Sequence, residues 1–188
     1  DLYQEDNQPE MAWDYYEQAK AIDPAFPALI LSRISYYEKT GQREAARKEL
    51  EQAIEGSSMD VDSKLQLLTR YLGILQQEKQ DLKVTNRLFE SLFRQYPNNS
   101  RLNMIYGNVL VMQNDKKGAL EQFRKYIAGQ PDDPSGYEQM IRIALPDEDL
   151  ETIKEVTTEG IKQIPQEPQF YFYLGAAYYQ EENYEEAL

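Results

Sequence analysis

Apolar and small residues recur along this chain at fixed distances, with polar residues between them. The plainest stretch is the last, where Tyr171, Leu174, Gly175 and Tyr178 are followed by Tyr184 and Ala187. Numbered from Pro168, they occupy positions 4, 7, 8, 11, 17 and 20 of a unit. Counting back in steps of 34 places Gly107 at position 8 of an earlier unit, with Tyr106 at 7, Ala119 at 20, Phe123 at 24 and Pro131 at 32. Pro97, Pro131 and Pro165 are spaced by the same 34 residues, and Pro24 precedes Pro97 by 73, five more than two periods. The pattern predicts helices over 9–23, 27–40, 42–56, 61–79, 81–96, 100–114, 116–129, 134–145, 148–163 and 168–181, and a truncated helix from 183. No strand signal and no Ser/Gly-rich linker interrupts it, so one continuous array of helix pairs is expected.

Each residue type has a physical role in such a unit. Glycine at position 8 lets the two helices of a pair approach, and the small residue at position 20 faces it. Larger residues at 4, 7, 11 and 24 fill the space between neighbouring helices. On this grid residues 1–24 form a partial repeat, with Ala12, Tyr16, Ala19 and Pro24 in register. Repeats follow over 27–58 (Tyr37, Gly41, Ala46, Leu50, Ala53) and 61–97 (Leu67, Leu68, Tyr71, Phe89), the latter with an insertion near 75–80. Residues 100–131 form a clear repeat, 134–165 a degenerate one and 168–188 a truncated one. The degenerate unit carries Ile141, Ile153 and Gly160 where small residues are expected; Pro146 should stop its first helix early, with Asp147 capping the second. All nine prolines fall at predicted helix boundaries, where a missing N–H costs least.

Gly107/Ala119/Pro131 and Leu174–Gly175/Tyr178/Ala187 resemble the tetratricopeptide-repeat family, and the resemblance covers essentially the whole chain. It implies an all-α fold, a right-handed superhelix (an α-solenoid) of antiparallel helix pairs. It also implies a concave groove, lined by first helices, that holds a peptide or helix of a partner protein. The final stretch, Phe170–Leu188, is further similar to long repeat-rich lipoproteins of Bacteroidales-type bacteria, which implies the periplasm or outer membrane of a cell envelope. Both ends fall inside repeats, so a fragment of a longer protein is expected. Its uncapped end would then be covered by a second copy, giving a homo-oligomer. Trp13 is expected to pack against a helix upstream of it.

Carried over by position, the family's groove residues become Leu31, Ser35 and Glu38, then Asp62, Leu65, Thr69 and Leu72 in the first two full repeats. The sharper candidates come later: Arg101, Met104 and Asn108, then Glu138 and Arg142, then Gln169, Phe172 and Tyr179. This mixed lining suits apolar anchors of a peptide together with amide and guanidinium donors to it. The family's carboxylate clamp does not carry over, because Asn108 and Arg142 are in place but Met104 stands where a polar partner is needed and the other cations are lacking.

Composition narrows the function classes. The net charge of -13 (20 Lys+Arg against 33 Asp+Glu) would repel nucleic acid and anionic membranes. With no Cys and no His, thiol chemistry, the usual neutral-pH base and the commonest zinc ligands are all excluded. Asp147-Glu148-Asp149 lacks the alternating spacing of a calcium loop and reads as helix-cap acidity. A carboxylate pair such as Glu138 with Asp62 would need a closed, pKa-shifting pocket that an open groove does not supply. The reading is therefore a non-enzymatic protein-interaction scaffold with no cofactor and no metal. Its alternative is a structural spacer or self-association segment of a larger cell-envelope protein.

Overall fold

Every regular element among the described residues (9–24, 26–56 and 59–181 of a computed structural model) is helical. The chain divides into two compact units, residues 1–97 and 98–188. Tyr3, Tyr184, Ala187 and the helix expected from 183 lie outside the described residues.

The first unit holds α1 (Pro9–Ile22), α2 (Pro27–Lys39), α3 (Arg43–Glu55), α4 (Val61–Gln77), a 3-10 turn (Leu82–Thr85) and α5 (Asn86–Gln95). Ile34, Leu50, Ile54, Leu68, Leu88, Phe89 and Leu92 are among its most deeply buried apolar side chains. α4 runs 17 residues against 13 for α2, so it is four residues longer than that helix. The helix expected over 81–96 is corrected at its start. Asp81 accepts from the Lys83 N–H at 2.9 Å and Thr85 Oγ1 donates to the Leu82 carbonyl at 2.6 Å. These local bonds hold a tighter turn ahead of α5.

Two buried cations organise this unit. Arg33 Nε donates to Glu49 at 2.9 Å, its other nitrogens reach Glu17 and the Tyr37 hydroxyl, and its guanidinium lies 4.6 Å from the centre of the Trp13 ring. Trp13 also packs on Tyr36 and Tyr37 at centroid distances of 4.8 and 5.0 Å, so the ring is seated on α2. Burial works against the Arg33 charge, but the bonds to Glu49 and Glu17 overcome it and leave the pKa raised. Lys64 is fully buried, and its ammonium donates to the Gly56 carbonyl and the Gln95 side-chain oxygen beside the Tyr96 ring. These partners are all neutral.

The second unit holds α6 (Ser100–Met112), α7 (Lys116–Gly129), α8 (Ser135–Ala144), a 3-10 turn (Leu145–Asp147), α9 (Leu150–Gln163) and α10 (Pro168–Gln180). Leu110, Phe123, Tyr137, Met140, Ile141, Val156 and Phe170 join all five helices in one core. Gly107 is required by contact: a Cβ there would stand 2.5 Å from the Phe123 ring, and Ala119 is fully buried. The degenerate repeat does the same with other residues. A Cβ on Gly136 would meet Ile127 at 2.6 Å, and one on Gly160 would meet Phe170 at 2.7 Å. Tyr137 donates to the Pro131 carbonyl at 3.2 Å, and Tyr171 donates to the Pro165 carbonyl at 2.9 Å. The same joint thus recurs 34 residues apart.

The turn inside each pair also repeats. Gly41, Lys79, Asn114 and Glu148 have φ of +74°, +53°, +61° and +52°, and each follows a first helix. The next N–H then reaches back five residues: Gln42 to Tyr37, Gln80 to Leu75, Asp115 to Leu110 and Asp149 to Ala144. This geometry corrects the expected cap of α9. Pro146 does stop α8 early, but the chain needs the left-handed Glu148 before it can turn. Asp149 therefore caps, accepting from the Thr152 N–H at 3.1 Å, while Asp147 pairs with Lys116. The bonds from the Thr152 hydroxyl and N–H hold the Asp149 carboxyl below its usual range.

Candidate functional site

All eight sharper candidates belong to the second unit, on α6, α8 and α10. Those helices start on side-chain caps: Asn99 accepts from the Leu102 N–H at 3.2 Å, Asp133 from Ser135 at 2.8 Å and Glu167 from Gln169 at 3.3 Å. Asp133 also accepts from the Tyr126 hydroxyl at 2.6 Å. That bond, with those from Ser135, holds the carboxyl below its usual range against the cost of burial. Burial and then the same bond push the Tyr126 hydroxyl up to about 12. The cap that opens α8 is thereby tied to α7.

Helical spacing sorts the candidates onto faces. On α6 the core side is Leu102, Gly107, Val109 and Leu110; Arg101 is exposed and Asn108 half-buried. Met104 is half-buried and packs against the core cluster, so it supports the face more than it projects from it. On α8, Tyr137, Met140, Ile141 and Ala144 are buried, leaving Glu138 half-buried and Arg142 exposed one turn apart. On α10, Phe170 and Ala177 are buried and Gln169 is exposed. Phe172 and Tyr179 are 69% and 68% exposed, with the Phe172 ring edge-on to Tyr173 at 5.4 Å. Val111 and Met112 add exposed apolar surface at the end of α6.

In the first unit the positional transfer fails at one residue. Leu65 is only 2% exposed and belongs to the core, so it lines no groove. Glu38 does face solvent but is engaged by Arg70 Nε at 2.9 Å. Leu31 is exposed, and Thr69 donates its hydroxyl to the Leu65 carbonyl. The Arg33–Trp13 cluster gives no signal at the sequence level, because its members come from three helices and no motif spaces them.

No group of three or more carboxylates among the described residues is placed to hold a metal ion. Nor is any described helix long and apolar enough to cross a membrane.

Residues 72–134 match the family profile of the tetratricopeptide repeat. No curated protein matches the sequence. Among solved structures the chain is similar to YrrB, described as a TPR protein with an unusual peptide-binding site, at 18% identity and a TM-score of 0.57 over 92% of this chain and 87% of that one. It is similar to MamA from Desulfovibrio magneticus RS-1 at 20% identity and a TM-score of 0.56, covering 86% and 88%. PilW, described as a widely conserved type IV pilus biogenesis factor, aligns at 15% identity and a TM-score of 0.54, covering 99% and 84%. By the repeat matched within it and by the antiparallel helix pairs it forms, the chain has the all-α fold of the tetratricopeptide-repeat solenoids.

Proposed function

We propose that this chain is a non-catalytic protein-interaction scaffold, and that the α6–α8–α10 face of its second unit holds a peptide or helix of a partner protein. The observation that carries the reading is the pair Phe172 and Tyr179. Two large aromatic rings project from a helix whose other side is core, with Arg142, Asn108 and Gln169 available on the same set of first helices. Exposed aromatics beside polar donors are the usual anchors of a protein interface. YrrB, of like fold, is described by its peptide-binding site. The repeats 100–131 and 134–165, with the opening helix α10 of the repeat that begins at 168, are the units on which the face is built.

The test is capture of partners from lysate by the wild-type chain and by an Arg142→Glu/Phe172→Ala variant. Loss of specific partners from the variant is the expected result. Equal capture by both would overturn the groove assignment.

A second reading is self-association of a segment within a larger cell-envelope protein. Met11, Tyr15 and Ile22 favour it, since they lie along α1 as exposed apolar residues. Sedimentation of the purified chain separates the readings: a concentration-dependent dimer that Tyr15→Glu dissolves would support self-association.

A further inference from the structure

A cleft of about 290 Å³ opens between α7 and α9, the second helices of two neighbouring pairs. Ile127 and Ala128 of α7, with Pro131, supply its apolar wall; Glu159 and Gln163 come from α9, and Tyr137 of α8 adds the buried part of the lining. The sequence explains the opening. Ala128 stands exposed near the end of α7, and its single methyl group leaves space that a longer side chain would fill. Ile127 and Tyr137 belong to the core cluster, so that part of the lining is fixed by the packing of the unit. The α6–α8–α10 face is built of first helices and shares none of its named residues with this cleft.

The two charged side chains of the cleft differ in how they are engaged. Arg124 donates to Glu155 at 3.0 Å, outside the lining. Glu159 makes no hydrogen bond or ion pair with any described residue: neither Arg124 nor Lys162, one turn further along α9, comes within ion-pair distance of it. Its charge is nonetheless felt inside the cleft, since burial and then the Glu159 carboxylate push the Tyr137 hydroxyl up. Arg124, Glu155 and Glu159 together leave one negative charge over, and it sits beside an apolar wall. The ionic group left to meet an incoming ligand is therefore an anion.

We propose that this cleft is a second binding site, taking a lysine side chain from a basic segment of a partner protein. The methylene stem lies along Ile127, Ala128 and Pro131, and the ammonium donates to Glu159, with the Gln163 side-chain oxygen as a further acceptor. A volume of about 290 Å³ admits one such side chain rather than a helix or a folded ligand. The net charge of -13 raises the local concentration of a basic partner before that side chain is seated.

The experiment follows backbone amide resonances of the full chain on titration with acetyl-Gly-Lys-Gly-amide, its norleucine and glutamate counterparts, and n-butylammonium, all at one ionic strength. The Lys peptide should shift the Ala128, Glu159 and Gln163 amides saturably, and the norleucine peptide should bind about tenfold more weakly. Glu159→Gln should reduce the Lys peptide to the level of the norleucine peptide, while Arg124→Gln, which releases Glu155, should tighten it. Ala128→Met should abolish the shifts and leave the melting temperature unchanged, since a good helix former then fills the cleft from an exposed position. Attraction by net charge alone would survive that substitution. No shift at these amides, equal affinity for the Lys and norleucine peptides, or tighter binding of the glutamate peptide would overturn the site. So would undiminished binding by Glu159→Gln or Ala128→Met, or weaker binding by Arg124→Gln. n-Butylammonium binding as tightly as the Lys peptide would overturn the peptide assignment in favour of a small organic cation. Arg142→Glu/Phe172→Ala should leave all of these titrations unchanged, which separates this site's failure from that of the α6–α8–α10 face.

Discussion

At the scale of single residues, the two buried cations contrast in how their charge is met. Arg33 has two carboxylates and an aromatic face, so folding favours its charged form. Lys64 has a carbonyl, an amide oxygen and a ring, and burial lowers its pKa. The sign of the linkage follows. With a folded pKa below the ordinary 10.5, the unfolded chain binds the Lys64 proton more tightly, so stability rises with pH from the lowered folded value up to 10.5. Tyr71, whose hydroxyl is pushed up by burial and its bond to Glu51, acts oppositely but only above its ordinary value of 10. Melting measured below that limit should therefore rise with alkalinity in the wild type and rise less in Lys64→Met. Parallel curves would mean that the ammonium is not desolvated as its surroundings imply. Glu17 and Glu49 as partners of Arg33, and Gln95 as a partner of Lys64, could not be read from the sequence, because residues 16 to 31 positions apart meet only once the helices pack.

At the scale of helices and turns, much was legible in advance and the remainder has a definable cause. Gly107 against Phe123 and all nine proline positions follow from steric rules that act over one helix pair. The cap of α9 does not, because the first acidic residue after Pro146 is the obvious candidate and only backbone geometry rejects it. The deciding element is the left-handed residue that ends α2, α4 and α6 and follows α8, which composition hides: Gly41 and Asn114 advertise it, Lys79 and Glu148 do not. A non-glycine residue in that conformation costs about 1–2 kcal/mol. Glu148→Gly should thus stabilise the chain by about 1 kcal/mol, raising the melting temperature by about 2–4 °C. Gly41→Glu should lower it by a like amount. If neither moves in urea or thermal unfolding, the shared turn does not limit stability. Arg101, Arg142, Phe172 and Tyr179 are exposed, whereas Leu65 of α4, assigned by the same positional count, is buried. Transfer by position counts residues along a helix but not how far that helix is rotated into its neighbours.

At the scale of the whole molecule, charge is the dominant feature. Self-repulsion from a net -13 opposes compaction at low ionic strength. The exposed ion pairs that join helices, such as Arg124–Glu155 at 3.0 Å, contribute about 0–1 kcal/mol each and are also screened. Because many like charges outweigh a few weak pairs, raising sodium chloride from near zero to about 0.15 M, where screening reaches about 8 Å, should raise the melting temperature. A fall would show that the cross-helix pairs carry more of the stability than their exposure suggests. The tyrosine-to-proline joint bears on how such a chain can grow. A segment copied from Pro131 to Ile164 would bring Tyr137 with its acceptor, and its last residue would abut a proline whose carbonyl already awaits Tyr171. Gene duplication in that frame adds a rung that arrives with its own fastening, so lengthening demands no simultaneous second mutation.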